Sequence, residues 1–339
     1  MKNKLDVIDI NGHSKNDTRQ EATGAKRRNA NVRERERKRA RRRRRIELYT
    51  RLVVVAAIAV IFFLAGLTIK TVRNHKDDLE ENSIEYSNAS VSAVYSQIAE
   101  NYQSNTPKTM NSSEALETLE SLIVQYPEFE EIYTNADQYP EDLIVALCNN
   151  PEMYEFVKGY PDADTSVSGK FTSQELKEDY PLFLQWDERW GYVPYGGSMI
   201  GLAGCGPTCL SMVSTALTDS ETTTPAEVAS YSMSNGYYVE GTGTAWSLMT
   251  EGVEHFGVTA RELSLDEGVM KNALDQGHPI ICSMGPGDFT AVGHFIVIYG
   301  YDEDGFKIND PNCVSRSEKR WSYEELSWQI RILWAYSAT

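Results

Sequence analysis

Cys205 stands in the run Gly204-Cys205-Gly206-Pro207-Thr208, and two residues far downstream complete a set able to cleave an acyl bond: His294, in Gly293-His294-Phe295, and Asp310, in Asn309-Asp310-Pro311. A thiolate attacks a carbonyl, an imidazole carries its proton, and a carboxylate beside the imidazole holds the tautomer and stabilises the imidazolium. Pro207 suits the first turn of a helix, so Cys205 is expected at a helix N-terminus, where the peptide dipoles favour an anion. The flanking glycines let backbone approach closely, and the Cys205 N–H is a candidate oxyanion donor. Each residue also has a plainer reading: a structural thiol in a turn, a satisfied buried histidine, a turn aspartate before proline. The chain order Cys, His, Asp, on elements that can meet, favours the chemical reading. The other histidines have less to recommend them. His13 lies in a basic lead, His75 beside an apolar span, His255 on an expected helix and His278 in a Gly-His-Pro turn.

Local patterns outline the elements that must carry these groups. A helix begins at Gly204-Cys205 and continues through Cys209, Leu210, Met212, Val213 and Leu217. Residues 225–235, 244–256 and 265–276 are expected as helices, and 279–283, 294–299, 306–309 and 331–336 as strands. A turn at 302–305 makes a hairpin that brings Asp310 back towards the head of the strand bearing His294. Helices followed by strands indicate an α+β domain over 181–339. Upstream, 70–110 is a polar stretch expected as a stalk, and 111–180 an acidic helical segment expected to pack on the domain that follows. Its first helix starts at Asn111, with Glu114 as capping-box partner, presents Leu116, Leu119, Ile123 and Tyr126 on one face, and stops at Pro127. Two more helices follow Pro140 and Pro151. These helices are too short to stand alone and need a partner for their apolar faces. Residues 77–180 hold 22 acidic and 4 basic side chains with no calcium-loop spacing, which reads as a solvated surface.

Charge divides the chain sharply. Residues 1–51 hold 18 Lys/Arg against 7 Asp/Glu, whereas the rest holds 15 against 42. Between the two parts lie 18 uncharged residues, 52–69, of which 12 are Leu, Ile, Val or Phe. At ~1.5 Å per residue a helix there nearly spans the ~30 Å hydrocarbon core. The long basic lead and the lack of a small-x-small site distinguish it from a cleaved signal peptide. The expectation is one transmembrane helix at 52–69, a disordered cytoplasmic tail at 1–51 and, by the positive-inside rule, an extracellular remainder. The run from Arg41 to Arg45 is first of all a topology signal, then a contact for anionic lipid. No aromatic residue interleaves it to stack on bases, which argues against nucleic acid. The five cysteines, Cys148, Cys205, Cys209, Cys282 and Cys313, are odd in number and do not form a dense disulfide framework; pairing among Cys148, Cys209, Cys282 and Cys313 stays open.

Four motifs in order resemble the papain-like, bacteriocin-processing (double-glycine) cysteine peptidase family, in its free-standing form. They are Gln185-Trp186-Asp187-Glu188-Arg189-Trp190, the Gly204–Val213 helix start, the strand from His294 to Asp302, and Asn309-Asp310-Pro311. The resemblance covers about half the chain. It implies a papain-like fold of helices plus antiparallel sheet that acts on a peptide or protein substrate without cofactor or metal. Cys205 would be the nucleophile, His294 the acid–base, Asp310 the orienting carboxylate and Gln185 the oxyanion donor. Gln185 lies 20 residues before Cys205, against about six in transporter-fused members, so extra chain must loop out between them. Other functions weighed against a cell-surface peptidase are a hydrolase of cell-wall peptide cross-links and an inactive papain-like binding module. A zinc site drawn from Cys205, Cys209, Cys282, Cys313 and His294 would leave Gln185 and Asp310 idle.

Overall fold

The computed structural model describes residues 91–166 and 169–339, all within one compact unit, Asn82–Thr339. The basic tail 1–51 and the apolar span 52–69 lie outside the described residues. Among the described residues, no helix is long and apolar enough to cross a membrane.

The first part is helical: α1 (Val91–Asn101), α2 (Ser112–Leu122), α3 (Glu141–Asn149) and α4 (Tyr154–Gly159), with short helical turns between α2 and α3 and between α3 and α4. Asn111 caps α2 through the Ser113 and Glu114 amides, and the Glu114 side chain returns to the Asn111 N–H, closing the capping box. The helix stops at Leu122, before Pro127, which instead opens a 3-10 turn. α1 falls inside the stretch expected as a polar stalk. Tyr95 is buried and Ile98, Ala99 and Tyr102 pack beside it, at spacings that place them on one helical face. Polar composition hid this stripe because it is narrow.

Leu119, Phe129, Ile132, Leu143, Leu147 and Val157 are fully buried in a cluster that also includes Leu184, Trp186, Tyr192, Met199 and Val314. The helical segment therefore shares one apolar core with residues far downstream.

The second part is built on α5 (Cys205–Thr218), α6 (Pro225–Ser234), α7 (Glu267–Asp275), α8 (Val314–Glu318) and α9 (Tyr323–Ser327). Its sheet comprises β1 (Val258–Glu262), β2 (Ile280–Met284), β3 (His294–Asp302), β4 (Gly305–Asn309) and β5 (Ile330–Ala338). The spatial order is β1-β5-β2-β3-β4, and every pairing is antiparallel. Alternate residues face opposite sides. Ile281, Phe295, Val297, Trp334 and Tyr336 share a core with Leu210 and Val213 of α5. Ile280, Cys282, Ile296, Ile298 and Leu333 share another with Met270 and Ala273 of α7. With both faces of β2 covered, all five of its residues are buried.

Two expectations for this part change. Residues 244–256 do not form one helix but two 3-10 turns, Trp246–Met249 and Val253–Phe256, with Gly252 between them. A Cβ at Gly252 would come within 2.8 Å of Leu248, so the chain uses glycine for close approach where a continuous helix would avoid it. The strand β1, Val-Thr-Ala-Arg-Glu, has no apolar run to announce it; it is an edge strand paired to β5 alone.

Candidate active site

Of the four residues singled out in the sequence, Cys205, His294 and Asp310 sit where an element begins or ends, and Gln185 lies in a turn. Gly204 precedes α5, and Cys205 is its first residue. The amides of the first helical turn have no partner within the helix, so they are turned towards whatever binds there. The two glycines serve packing. A Cβ on Gly204 would lie 2.5 Å from Ile200, and one on Gly206 would lie 2.8 Å from Thr244. His294 is the first residue of β3 and pairs in register with Met284 of β2. The hairpin to β4 pairs Val297 with Asn309, so Asp310 leaves the sheet beside His294.

His294 Nε2 lies 2.7 Å from Asp310 Oδ1; Asp310 is fully buried and His294 nearly so. The same carboxylate oxygen accepts the Asn312 N–H at 2.8 Å, and the Asp310 N–H donates to Ser317 Oγ at 2.9 Å. With Nε2 engaged by Asp310, Nδ1 is the ring nitrogen left for another partner, and Cys205 lines the same cleft. Burial alone would push the imidazole down. The charge and hydrogen bond of Asp310, with the hydrogen bond to Cys205, outweigh it and bring His294 up to about 9. Burial pushes the Asp310 carboxyl up. The charges of Arg316 and His294 and the bonds from His294 and Asn312 outweigh that and hold it below the usual carboxylate range. Cys205 is the one partly exposed cysteine among the five; the other four are buried and all are free. Burial pushes the Cys148 thiol up to about 12 and raises Cys209, Cys282 and Cys313 as well.

Gln185 completes the group. Its backbone N–H donates to the Pro311 carbonyl at 2.7 Å, and its side-chain Nε2 donates to the Gly201 carbonyl at 2.9 Å. An amide nitrogen carries two hydrogens, so one remains for a ligand. The extra chain between Gln185 and Cys205 forms a small hairpin, pairing Pro194 with Met199 and Tyr195 with Ser198, and then a helical turn, Ile200–Ala203. It folds so that both residues line one cleft of about 950 Å³ together with His294. One wall comes from the helical segment, through residues 107–110 and Asp142, Val145, Ala146 and Asn149. Another comes from Tyr238, Thr244 and Trp246, and a third from the loop 284–293.

Among the described residues, no group of three or more His, Cys, Asp or Glu side chains is arranged to hold a metal ion. Cys209 and Cys282 are sealed in the core, away from the cleft. The zinc set weighed from the sequence is therefore not assembled.

A protein-family model, the Peptidase_C39 like family, matches residues 177–336. By this match, that segment is similar to the Peptidase_C39 like family. The C39-like segment contains Gln185, Cys205, His294 and Asp310 and the whole five-stranded sheet up to Tyr336. Among solved structures, the chain is similar to the peptidase domain of Streptococcus ComA, a bi-functional ABC transporter involved in a quorum-sensing pathway. Identity is 20%, the similarity covers 47% of this chain and 99% of that one, and the TM-score is 0.34. No curated protein gave a significant match. The helices and antiparallel sheet fit a papain-like arrangement, and α1 to α4 precede the C39-like segment.

Sequence reasoning missed two side chains in this site. Arg316 is buried and its Nε lies 3.2 Å from Asp310 Oδ2. Glu152, from the helical segment, is buried and accepts the N–H groups of Val314 at 2.6 Å and Ser315 at 3.0 Å. A charged residue in the polar run Ser315-Arg316-Ser317-Glu318 looks solvated, and nothing local ties Glu152 to a turn 162 residues away.

Proposed function

We propose that this protein is a membrane-anchored, extracytoplasmic cysteine peptidase that hydrolyses peptide bonds with a Cys205-His294-Asp310 triad. The observation that carries the reading is the buried His294–Asp310 pair at 2.7 Å, in a cleft that His294 lines together with the partly exposed Cys205. The match of residues 177–336 to a peptidase-family model supports it. The anchor and its orientation rest on the apolar run 52–69 and the charge difference across it.

As His294 takes the Cys205 thiol proton, the sulfur attacks the substrate carbonyl carbon, and the carbonyl π electrons move to oxygen. The free N–H of Gln185 and the first-turn amides of α5 stabilise that oxyanion. The imidazolium of His294 donates its proton to the departing amine as the C–N bond breaks, leaving a thioester on Cys205. Water then gives a proton to His294 and attacks the thioester, and the returning proton regenerates the thiol–imidazole pair. Asp310 holds the ring in one tautomer and orientation throughout.

The test is alkylation of the full-length chain with a small neutral thiol reagent near neutral pH, with the modified cysteine located by mass spectrometry. Cys205 is expected to react faster than the other four thiols, and faster than in the His294→Ala variant. Equal rates in the wild type and His294→Ala would overturn the triad.

A further inference from the structure

Arg316 is an unusual residue to find behind Asp310. It is 7% exposed, yet it carries a full charge in a part of the molecule that excludes water. Its contacts divide between two parts of the site. Nε faces Asp310 Oδ2 at 3.2 Å, on the side of the carboxylate opposite His294. Nη1 donates to the carbonyls of Asp288 at 2.9 Å and Phe289 at 3.1 Å, in the loop that leads to His294 and walls the cleft. One guanidinium thus ties the carboxylate to the loop on which the imidazole is mounted. Asp310 Oδ2 makes no hydrogen bond of its own among the described residues, so Arg316 is the charge that faces it on that side.

The helix that presents Arg316 is only five residues long and does not hold itself in place. Glu152 holds it, accepting the Val314 and Ser315 amides and, at 3.4 Å, the Cys313 thiol. Asn150 donates to the Asn312 carbonyl, which also accepts Trp186 Nε1 at 2.9 Å. The turn from Asp310 to Ser315 is therefore clasped by a segment that precedes the C39-like match altogether.

We propose that Arg316 is a positioning residue of the triad, acting through Asp310, and that Glu152 of the helical segment holds Arg316 in place. This rests on the peptidase reading above. It gives the appended helices a task beyond solubility: they complete the support of the carboxylate. The charged and titratable groups around Asp310 and Arg316 are His294 and Cys205 on the cleft side, Cys209 in the core, and Cys313 and Glu152 behind. Among them Arg316 is the permanent cation. Arg316 lowers Asp310 and Cys313, so removing it makes both bind protons more tightly, and a pH profile that depends on Asp310 must move upward.

The experiment is the pH dependence of Cys205 alkylation in the full-length chain, with circular dichroism as the check on folding. Arg316→Gln is expected to displace the profile to higher pH by about one unit or more, the size of effect an opposite charge at this range exerts on a carboxylate. Arg316→Lys keeps the charge and is expected to restore the wild-type position with a slower plateau, because an ammonium cannot bridge the carboxylate and both carbonyls. Glu152→Ala is expected to slow the plateau. Combined with Arg316→Gln it should add little, since both act through one device. A folded Arg316→Gln with the wild-type profile overturns the role of Arg316. Should that variant not fold, an Arg316→Lys profile displaced by a full unit overturns it instead. Additive losses in the double variant overturn the role of Glu152. Wild-type Cys205 reacting no faster than in His294→Ala would remove the peptidase reading itself, an outcome separate from all of these.

Discussion

His294 and Asp310 are 16 positions apart in the chain and 2.7 Å apart in the fold, joined across the mouth of the β3–β4 hairpin with both side chains buried. A buried ion pair between the imidazolium and the carboxylate stabilises the fold over a limited pH range. His294 is raised from 6.5 to about 9, so its contribution is complete below pH 6.5 and disappears as the pH rises through about 9. Asp310 is held below its ordinary 3.8, so its contribution is complete above that and disappears as the pH falls through the lower folded value. The expected outcome is a coupling free energy between His294→Gln and Asp310→Asn, measured by urea unfolding, that is largest near pH 5 to 6 and fades by about pH 10. A coupling independent of pH would contradict the ion pair.

Removal of the nucleophile should end turnover while leaving the molecule folded. Cys205→Ala is expected to reduce peptide hydrolysis by as much as about 10⁶-fold, the scale seen when a hydrolase loses its nucleophile. The side chain is partly exposed at a helix start, so the unfolding midpoint should hardly change. Hydrolysis that persists in Cys205→Ala would assign the activity elsewhere.

Asp310→Asn keeps the shape of the side chain and removes its charge. The His294 ring loses the partner that selects its tautomer, and turnover is expected to fall by about 10² to 10⁴-fold. The buried Arg316 then faces a neutral amide, which should also lower stability by about 3 kcal/mol. Unaltered kinetics with unaltered stability would show that Asp310 is only a turn residue.

Gly206 is held against Thr244, which hydrogen-bonds to the Tyr195 hydroxyl at 2.8 Å and lines the cleft. Gly206→Ala puts a methyl group 2.8 Å from Thr244 Cγ2, a distance that forces movement. The expected cost is about 1–3 kcal/mol in stability, with a raised KM because the cleft wall shifts. Retention of both wild-type values would show that the wall yields without consequence.

Leu119 is fully buried in the core shared by the helical segment and the C39-like segment. Leu119→Ala is expected to cost about 2–5 kcal/mol. The loss should appear in one unfolding transition common to both parts, read by tryptophan fluorescence from the C39-like segment and by helical dichroism. Two separate transitions, with only the first displaced, would mean that the segments fold independently.

Much of the site was legible because it is written locally. A cysteine before Gly-Pro at the head of an apolar helix, a histidine before an alternating apolar strand, and an aspartate just past the return strand are all patterns of adjacent residues. The β3–β4 hairpin follows from its turn, and the capping box of α2 from two residues three apart. The strand β1 and the two turns at 246–256 were not legible, because pairing to β5 and the close approach at Gly252 depend on what lies opposite.

By itself, then, the sequence singled out Gln185, Cys205, His294 and Asp310 as candidates for the chemistry, most of the elements that present them, and the apolar span at 52–69 flanked by unequal charge. Only the tertiary structure decided that Nε2 of His294 meets Asp310, that Arg316 is buried behind it, and that Glu152 reaches across 162 positions to hold the turn. The reason is physical. Helix starts and strand alternation arise from interactions among neighbours in the chain. The strength of a charge depends on how much water the rest of the fold removes from around it, and that is set only when distant segments close over it.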